Sequence, residues 1–405
     1  MKKAMLLLLA LLTVFSLASC GWDNTEAPKN LFSYGLVPYR VDNKWGYMDR
    51  QGQSVIPPIY HTALPFASNG LAAVWTMGGK VGFINTKGEM VIQPQYDTSF
   101  GFGEDAFAMV HNYDSECYVI NEKNEIIATA NYIYLNTADF GKTGLLPAAE
   151  MTVQKAEDGT EETVYRWGYL NTKGEWAIRP QFDYARDFGS NGLAVAGMGE
   201  KYGYIDEKGD WVIPAEYDAV AAFGENGLAP VGIKTGEHDL KYGYIDEKGN
   251  MVIAPTYDYA VQFASNGLAR VQMRYRYGYI NDTGSIVIDC QYTKADDFGE
   301  NGLAPVLSHE ENAKWGCIDE NGNYVIAEAY EQLGSFGKNG LIPFSEGGKM
   351  GYLNERGEVV VAAVYDAASD FYDDGYAVVR KEGKLYLMDS NGNLTETVPC
   401  DKIYP

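Results

Sequence analysis

Large apolar side chains recur along this chain at fixed intervals. An aromatic-glycine pair opens the interval at Trp45, Trp167, Tyr202, Tyr242, Tyr277 and Trp315, and Val81 and Met350 hold the same place before Gly82 and Gly351. Fifteen residues after each opener stands an aromatic ring: Tyr60, Tyr96, Phe182, Tyr217, Tyr257, Tyr292, Tyr330 and Tyr365. Six further on is Phe66, Phe102, Phe188, Phe223, Phe263, Phe298, Phe336 or Phe371, and four beyond that a Gly, replaced once by Ala106. A decayed copy begins at Cys117 and keeps Tyr132, Phe140 and Gly144; an incomplete one begins at Leu385. Self-similarity at a fixed period of about 35 residues marks a repeat architecture, so the body of the chain is not divided into separate domains.

Each copy reads as strands. Trp45-Gly46-Tyr47-Met48 alternates large side chains as a strand does. Four residues after the opener comes an Asx (Asp49, Asn85, Asp206, Asp246), and three later a Gly (Gly52, Gly88, Gly209, Gly249). Asx caps nearby backbone N–H groups, and Gly takes the left-handed position of a type I turn with a bulge, so a β-hairpin is predicted. The returning strand is apolar, as in Trp211-Val212-Ile213, and a Pro such as Pro57 or Pro214 is expected to end it, because Pro lacks the ladder donor. Tyr217 and Phe223 then anchor a connection, and Gly227-Leu228-Ala229-Pro230-Val231 forms a third short strand. The predicted fold is all-β, a tandem array of about ten three-stranded meanders with no helix of useful length.

The Lys44-Trp45-Gly46-Tyr47 and Lys314-Trp315-Gly316 text, with the recurrent Gly-Leu-Ala-Pro-Val at 227–231 and 302–306, closely resembles the WG-repeat (KWG-repeat) family of bacterial proteins. The resemblance covers residues 31 to about 400. It carries a repeat signature and brings no catalytic residues with it. The chain starts on a third-strand fragment (34–39) and ends on first- and second-strand material (384–398). Joined, these complete a tenth unit, which would close a propeller-like ring. A shifted structural phase would leave an open array. An open or spiral toroid or solenoid is the primary expectation, with the closed β-propeller-like ring as the alternative.

The first residues change the picture of where the protein resides. Met1-Lys2-Lys3 precedes an apolar run from Met5 to Leu17, too short to span a bilayer, which reads as a signal-peptide core. The run ends in Leu17-Ala18-Ser19-Cys20, which resembles the lipobox of bacterial lipoproteins. The expected division is a signal peptide over 1–19, a lipidated Cys20 with a tether over 20–30, and the repeat array over 31–405. The protein is then exported and held at the cell envelope through its lipid.

Of 405 residues, 46% are hydrophobic and 21% charged, which is ordinary globular composition. Asp and Glu number 55 against 32 Lys and Arg, a net charge of −23. That balance excludes general nucleic-acid binding, since the phosphate backbone repels it, and argues against attachment to anionic lipid by basic patches.

Candidate chemistry is sparse. The repeated Asx-x-x-Gly admits a calcium-loop reading, but Asn replaces Asp freely and Lys intervenes, as in Asp206-Glu207-Lys208-Gly209, so turn capping is preferred. His61, His111, His238 and His309 lie in different units, and no metal or cofactor is expected. Cys117, Cys290, Cys317 and Cys400 read as small core fillers, with a Cys290–Cys317 disulfide open as an alternative because their units adjoin. No pair of carboxylates can be assigned as catalytic. Length varies mainly between the third strand and the next opener. The longest excursion, 148–166, reads as a protruding acidic hairpin; 232–241 and 307–314 are shorter. Insertions in repeat proteins map to one face, often the binding face. A local reversal of charge at Arg270, Arg274, Tyr275 and Arg276 suits carboxylates or planar groups, and these four are the candidate binding residues. The function expected is a non-catalytic scaffold for a protein or glycan partner. A polysaccharide-active enzyme on a propeller-like scaffold, or a purely structural envelope protein, are the competing readings.

Overall fold

The computed structural model describes residues 29–112, 117–130, 140–155, 160–236 and 239–403. Cys20 and the signal peptide lie outside them, as do Tyr132 and His238. The chain forms ten small antiparallel sheets, numbered here as blades 1 to 10. Blade 1 takes its strands from 36–60 and 402–403; blades 2 to 10 span 62–96, 98–130, 145–182, 184–217, 219–257, 259–292, 294–330, 332–365 and 367–396. Blade 4 shows three strands among the described residues, and every other blade has four.

Blade 6 shows how sequence becomes sheet. Its strands are Ala219–Val220, Leu228–Lys234, Leu240–Asp246 and Met251–Tyr257, hydrogen-bonded in that order. The first is the strand that the sequence did not reveal. Two residues are too few to show a period of two, and the pattern of the sequence predicts a connection there. The predicted hairpin is present: Gly249, at φ +83°, donates its N–H to the Asp246 carbonyl, while Asp246 Oδ1 accepts from the N–H groups of Lys248 and Asn250. Pro does not end the returning strand. Tyr242 pairs with Tyr257 and Tyr244 with Ile253, so one residue faces three across a bulge that accommodates Pro255. Gly243 sits opposite that bulge, and a Cβ there would lie 2.3 Å from the Ile253 carbonyl oxygen. At Gly243 the close backbone approach lies within the blade.

Adjacent side chains on a strand serve different interfaces. Tyr244 packs forward into blade 7 with Phe263, Ala269 and Val271, while Ile245 packs backward with Tyr204 and Ile213 of blade 5. Both are fully buried. Ten such apolar clusters lie among the described residues, one between each consecutive pair of blades. The tenth joins blade 10 to blade 1, through Leu385 and Leu387 on one side and Leu31, Phe32, Val37, Tyr39, Met48 and Ile403 on the other.

The array is thus closed, and the open toroid is corrected to the ring. The seam is not the one expected from the split unit. Residues 384–396 pair with Tyr376–Lys381 inside blade 10, and the C-terminal Lys402–Ile403 supplies the first strand of blade 1, pairing with Tyr39 and Arg40. Val398 N–H to the Gly52 carbonyl, Asp401 N–H to the Arg40 carbonyl and an Arg40–Asp401 ion pair at 3.2 Å add to the closure.

One contact recurs at the blade interfaces. The third-position tyrosine donates its hydroxyl to a backbone carbonyl of the next blade: Tyr47 to Leu64, Tyr169 to Arg186, Tyr204 to Ala221, Tyr244 to Val261, Tyr279 to Asp296 and Tyr352 to Ser369, at 2.6–2.8 Å. The same rings meet Phe66, Phe188, Phe223, Phe263, Phe298 and Phe371 at centroid distances of 4.7–4.9 Å. Burial pushes the phenols of Tyr169, Tyr204, Tyr244, Tyr279 and Tyr352 far above their ordinary value, because a phenolate there would be stripped of water. Their neutral forms are favoured in the fold. This contribution to stability is complete below the unfolded phenol value near 10 and is lost as pH rises beyond it. Titration with base should show these phenols ionising only in step with loss of the circular-dichroism signal. Full phenolate absorbance on an unchanged fold would contradict their placement.

Candidate interaction face

The ring has two faces. One, the turn face, carries the near-identical Asx-x-x-Gly turns. The other, the hairpin face, carries the connections between second and third strands. Those connections differ from blade to blade. Asp42-Asn43, Arg274-Tyr275 and Gly347-Gly348 are two-residue loops with positive φ at both positions, as in type I′ hairpins. Blade 2 uses the longer 76–80 loop, and blade 8 the 308–314 loop. Blade 4 extends much further: Leu145–Lys155 pairs with Glu161–Asn171 in unbroken register, so the predicted hairpin at 148–166 is present, with its tip (156–159) outside the described residues. The paired strands expose Val153 and Tyr165.

A row of ion pairs braces this face. Lys80–Asp97 (2.6 Å), Lys201–Asp218 (2.7 Å) and Lys349–Asp366 (2.5 Å) repeat at a separation of 17 residues, joined by Arg166–Asp183, Lys241–Asp258 and Lys314–Glu331. The Lys241 ammonium holds the Asp258 carboxyl below its ordinary value, against partial burial and with help from the Arg274 N–H. The sequence carries the signal in a cation just before the opener and an acid just after the anchor tyrosine, as in Lys201 and Asp218.

The four candidate binding residues are split up. Arg274 and Tyr275 form the hairpin tip of blade 7, with Tyr275 88% exposed. The Arg276 guanidinium reaches the Gln291 carbonyl and Thr293 Oγ1 at 3.5 and 3.4 Å. Arg270 does bind a carboxylate, but one of its own chain: its Nε lies 3.0 Å from Asp297 in blade 8, it donates to the Ala295 carbonyl, and it covers the Tyr277 ring at 5.4 Å. It clamps two blades together. The tip of blade 7 shares the hairpin face with the long hairpin of blade 4, but blades 5 and 6 separate them.

The segments after each first strand line the inner rim. The Asp370 carboxylate acts on Asp296, and that of Asp297 on Tyr244, each across an intervening blade. In a ring, second neighbours approach only near the axis. Desolvation raises the Asp296 carboxyl, opposed by Arg270 and reinforced by Asp297 and Asp370. Asp370 rises for the same first reason, although the Ser335 N–H donates to it at 2.9 Å. Both residues are exposed to water. This acidic arc is not among the expected site residues; its signal in the sequence is the varied pair of residues before each invariant Phe, as in Asp296-Asp297 before Phe298.

The remaining candidates resolve simply. The Asx side chains cap their turns, as preferred over calcium ligation. Among the described residues, no group of three or more His, Cys, Asp or Glu is placed to hold a metal, and no helix is long and apolar enough to cross a membrane. Cys290 and Cys317 are thiols and form no disulfide with each other. Burial pushes the Cys317 thiol up to about 12.

A closed ring of ten small antiparallel sheets, each stacked on the next, is a ten-bladed β-propeller. The chain belongs to the WG-repeat family: the WG containing repeat matches residues 45–79, 82–112, 167–202, 202–234, 242–276, 277–308, 315–349 and 350–384. No curated protein matches it. Among solved structures it is similar to one described as the crystal structure of the eukaryotic initiation factor, at 13% identity and a TM-score of 0.54, over 92% of this chain and 97% of that one. BamB from Moraxella catarrhalis matches at 10% identity and a TM-score of 0.32, over 88% and 94% of the two chains. Hsv2p from Kluyveromyces lactis matches at 10% and 0.32, over 70% and 89%. The first is a likeness of fold alone.

Replacing Arg270 with Ala should lower stability by about 1 kcal/mol, since it uncovers the Tyr277 ring and leaves the part-buried Ala295 carbonyl without this donor, while the half-exposed Asp297 carboxylate turns to water. Tyr275→Ala, at an exposed tip, should leave stability within about 0.5 kcal/mol of the parent. Urea unfolding of the two variants checks this; equal effects would contradict the division of roles.

Proposed function

We propose that this protein is a non-catalytic binding scaffold, held at the cell envelope by lipid on Cys20, that receives a protein or glycan on its hairpin face. The observation that carries the reading is the contrast between the two faces. On the turn face, the same Asx and Gly positions satisfy backbone groups blade after blade. On the hairpin face, loop length and chemistry vary over an unchanged frame, which is how a repeat scaffold acquires specificity without altering its core.

The hairpin of blade 4 is the most prominent feature of that face. Among the described residues, the last strand of blade 4 pairs with its second strand only from Trp167 onward, so the hairpin projects beyond that point as a ladder two strands wide with its edges at the surface. Such edges pair readily with an extended segment. Its acidic residues, Glu150, Glu161 and Glu162 among them, favour a partner with basic character.

The test is to replace 151–165 with Asn-Gly, the turn that a two-residue hairpin favours. Glu150 and Arg166 already face each other, so the shortened strands remain in register. The parent should capture a ligand from envelope extract or on a glycan array. The trimmed ring should lose that capture while keeping its thermal midpoint. Capture by neither protein, or equal capture by both, would contradict the reading.

A further inference from the structure

The tether leaves the ring from a defined place. Lys29, the first described residue, accepts a hydrogen bond through its carbonyl from the Asp373 N–H at 2.7 Å. The N–H groups of Leu31 and Phe32 reach the Asp374 carboxylate at 3.4 and 2.9 Å. The Arg50 guanidinium lies 3.9 Å from that carboxylate and covers the rings of Phe32 and Tyr376, each at 5.4 Å. Arg50 belongs to the Asx turn of blade 1. Asp373 and Asp374 belong to the loop that enters the second strand of blade 10 beside the Ser390 turn, where Ser390 donates to the Gly375 carbonyl. All of these groups are on the turn face, so the chain toward Cys20 departs from that face.

We propose that the membrane lies against the turn face and that the hairpin face looks away from the bilayer. This rests on the reading that Cys20 carries the lipid, and the argument is one of reach. Nine residue steps separate Cys20 from Lys29, about 30 Å if fully extended. A membrane on the opposite side would require the tether to pass the thickness of the ring, about 20 Å for a strand such as Leu228–Lys234. It would then have to clear the hairpin of blade 4, whose Met151 to Lys155 project about 17 Å further. The path is longer than the tether, and a route outside the ring adds the width of a four-stranded sheet. On the turn face the same tether has length to spare. The anchor therefore sets orientation as well as location. The variable hairpins are presented to whatever approaches the membrane, and the uniform turns form the membrane-proximal side.

The experiment uses the full chain, lipidated in a bacterial host and reconstituted into phosphatidylethanolamine–phosphatidylglycerol vesicles containing a spin-labelled headgroup lipid. A fluorophore is attached through an encoded azide side chain at Lys248 on the turn face or at Tyr275 on the hairpin face. These lie on neighbouring blades, so the two labels differ chiefly in face. The Lys248 label should be quenched several-fold more than the Tyr275 label. A flexible Gly/Ser insert of about 20 residues after Pro28 should erase the difference, because its reach covers both orientations. Incorporation of radiolabelled palmitate, compared between the parent and Cys20→Ser, tests the anchor separately. No palmitate at Cys20 removes the anchor and the orientation with it. Palmitate at Cys20 with equal quenching of the two labels overturns the orientation alone.

Discussion

No sheet in this ring can hide its apolar surface by itself. The second strand of blade 6 buries Leu228, Ala229, Pro230 and Val231 in succession, which requires cover on both faces of a sheet only four strands wide. Each blade therefore needs two neighbours, and a linear stack would leave two blades with one neighbour each. Closing the ring removes both ends. Cover comes from alternate residues of one strand, with Tyr244 sent forward and Ile245 backward, so the interfaces are coupled through shared backbone. The tyrosine hydroxyl fixes the spacing between blades by meeting a carbonyl that would otherwise be buried without a donor. Where Phe83 replaces the tyrosine the ring contact with Phe102 remains at 4.8 Å, and where Cys317 replaces it the ring contact is lost, yet the apolar cluster persists. The interface thus depends on apolar cover first and on the hydroxyl second.

The repeat was legible because its strongest signals are local. Asp246 and Gly249 specify their turn within a few residues, and the intervals to Tyr257 and Phe263 expose the period. The hairpin of blade 4 was legible for the same reason, as alternating residues around a turn. What escaped was short or distant. Ala219–Val220 is too brief to show alternation. Pro255 suggested a strand end because a bulge opposite Gly243 depends on the partner strand. Closure depended on Lys402–Ile403 meeting Tyr39, a contact between opposite ends of the sequence that no local pattern predicts. Arg270 looked available for a ligand because its partner, Asp297, belongs to the next copy of the repeat.

The division of labour follows from the same geometry. Most recurring residues are used within the ring itself: Gly at the bulge, Asx in the turn, Tyr and Phe between blades, Lys and Asp along the hairpin face. The positions free to vary are the hairpin loops and the pair of residues before each Phe at the inner rim. The former define the surface offered to a partner. The latter give the aperture an acidic arc at Asp296, Asp297 and Asp370, whereas Ala221, Ala222 and Val261 occupy the corresponding places in blades 6 and 7.

The fold depends on closure: an uninterrupted circle of interfaces in which an apolar cluster joins blade 10 to blade 1, as one joins every other pair. Electron microscopy of single particles of the chain tests it most directly. Closed rings with ten radial spokes are the predicted result. Arcs with a gap between the first and last blades, or a different number of spokes, would contradict it.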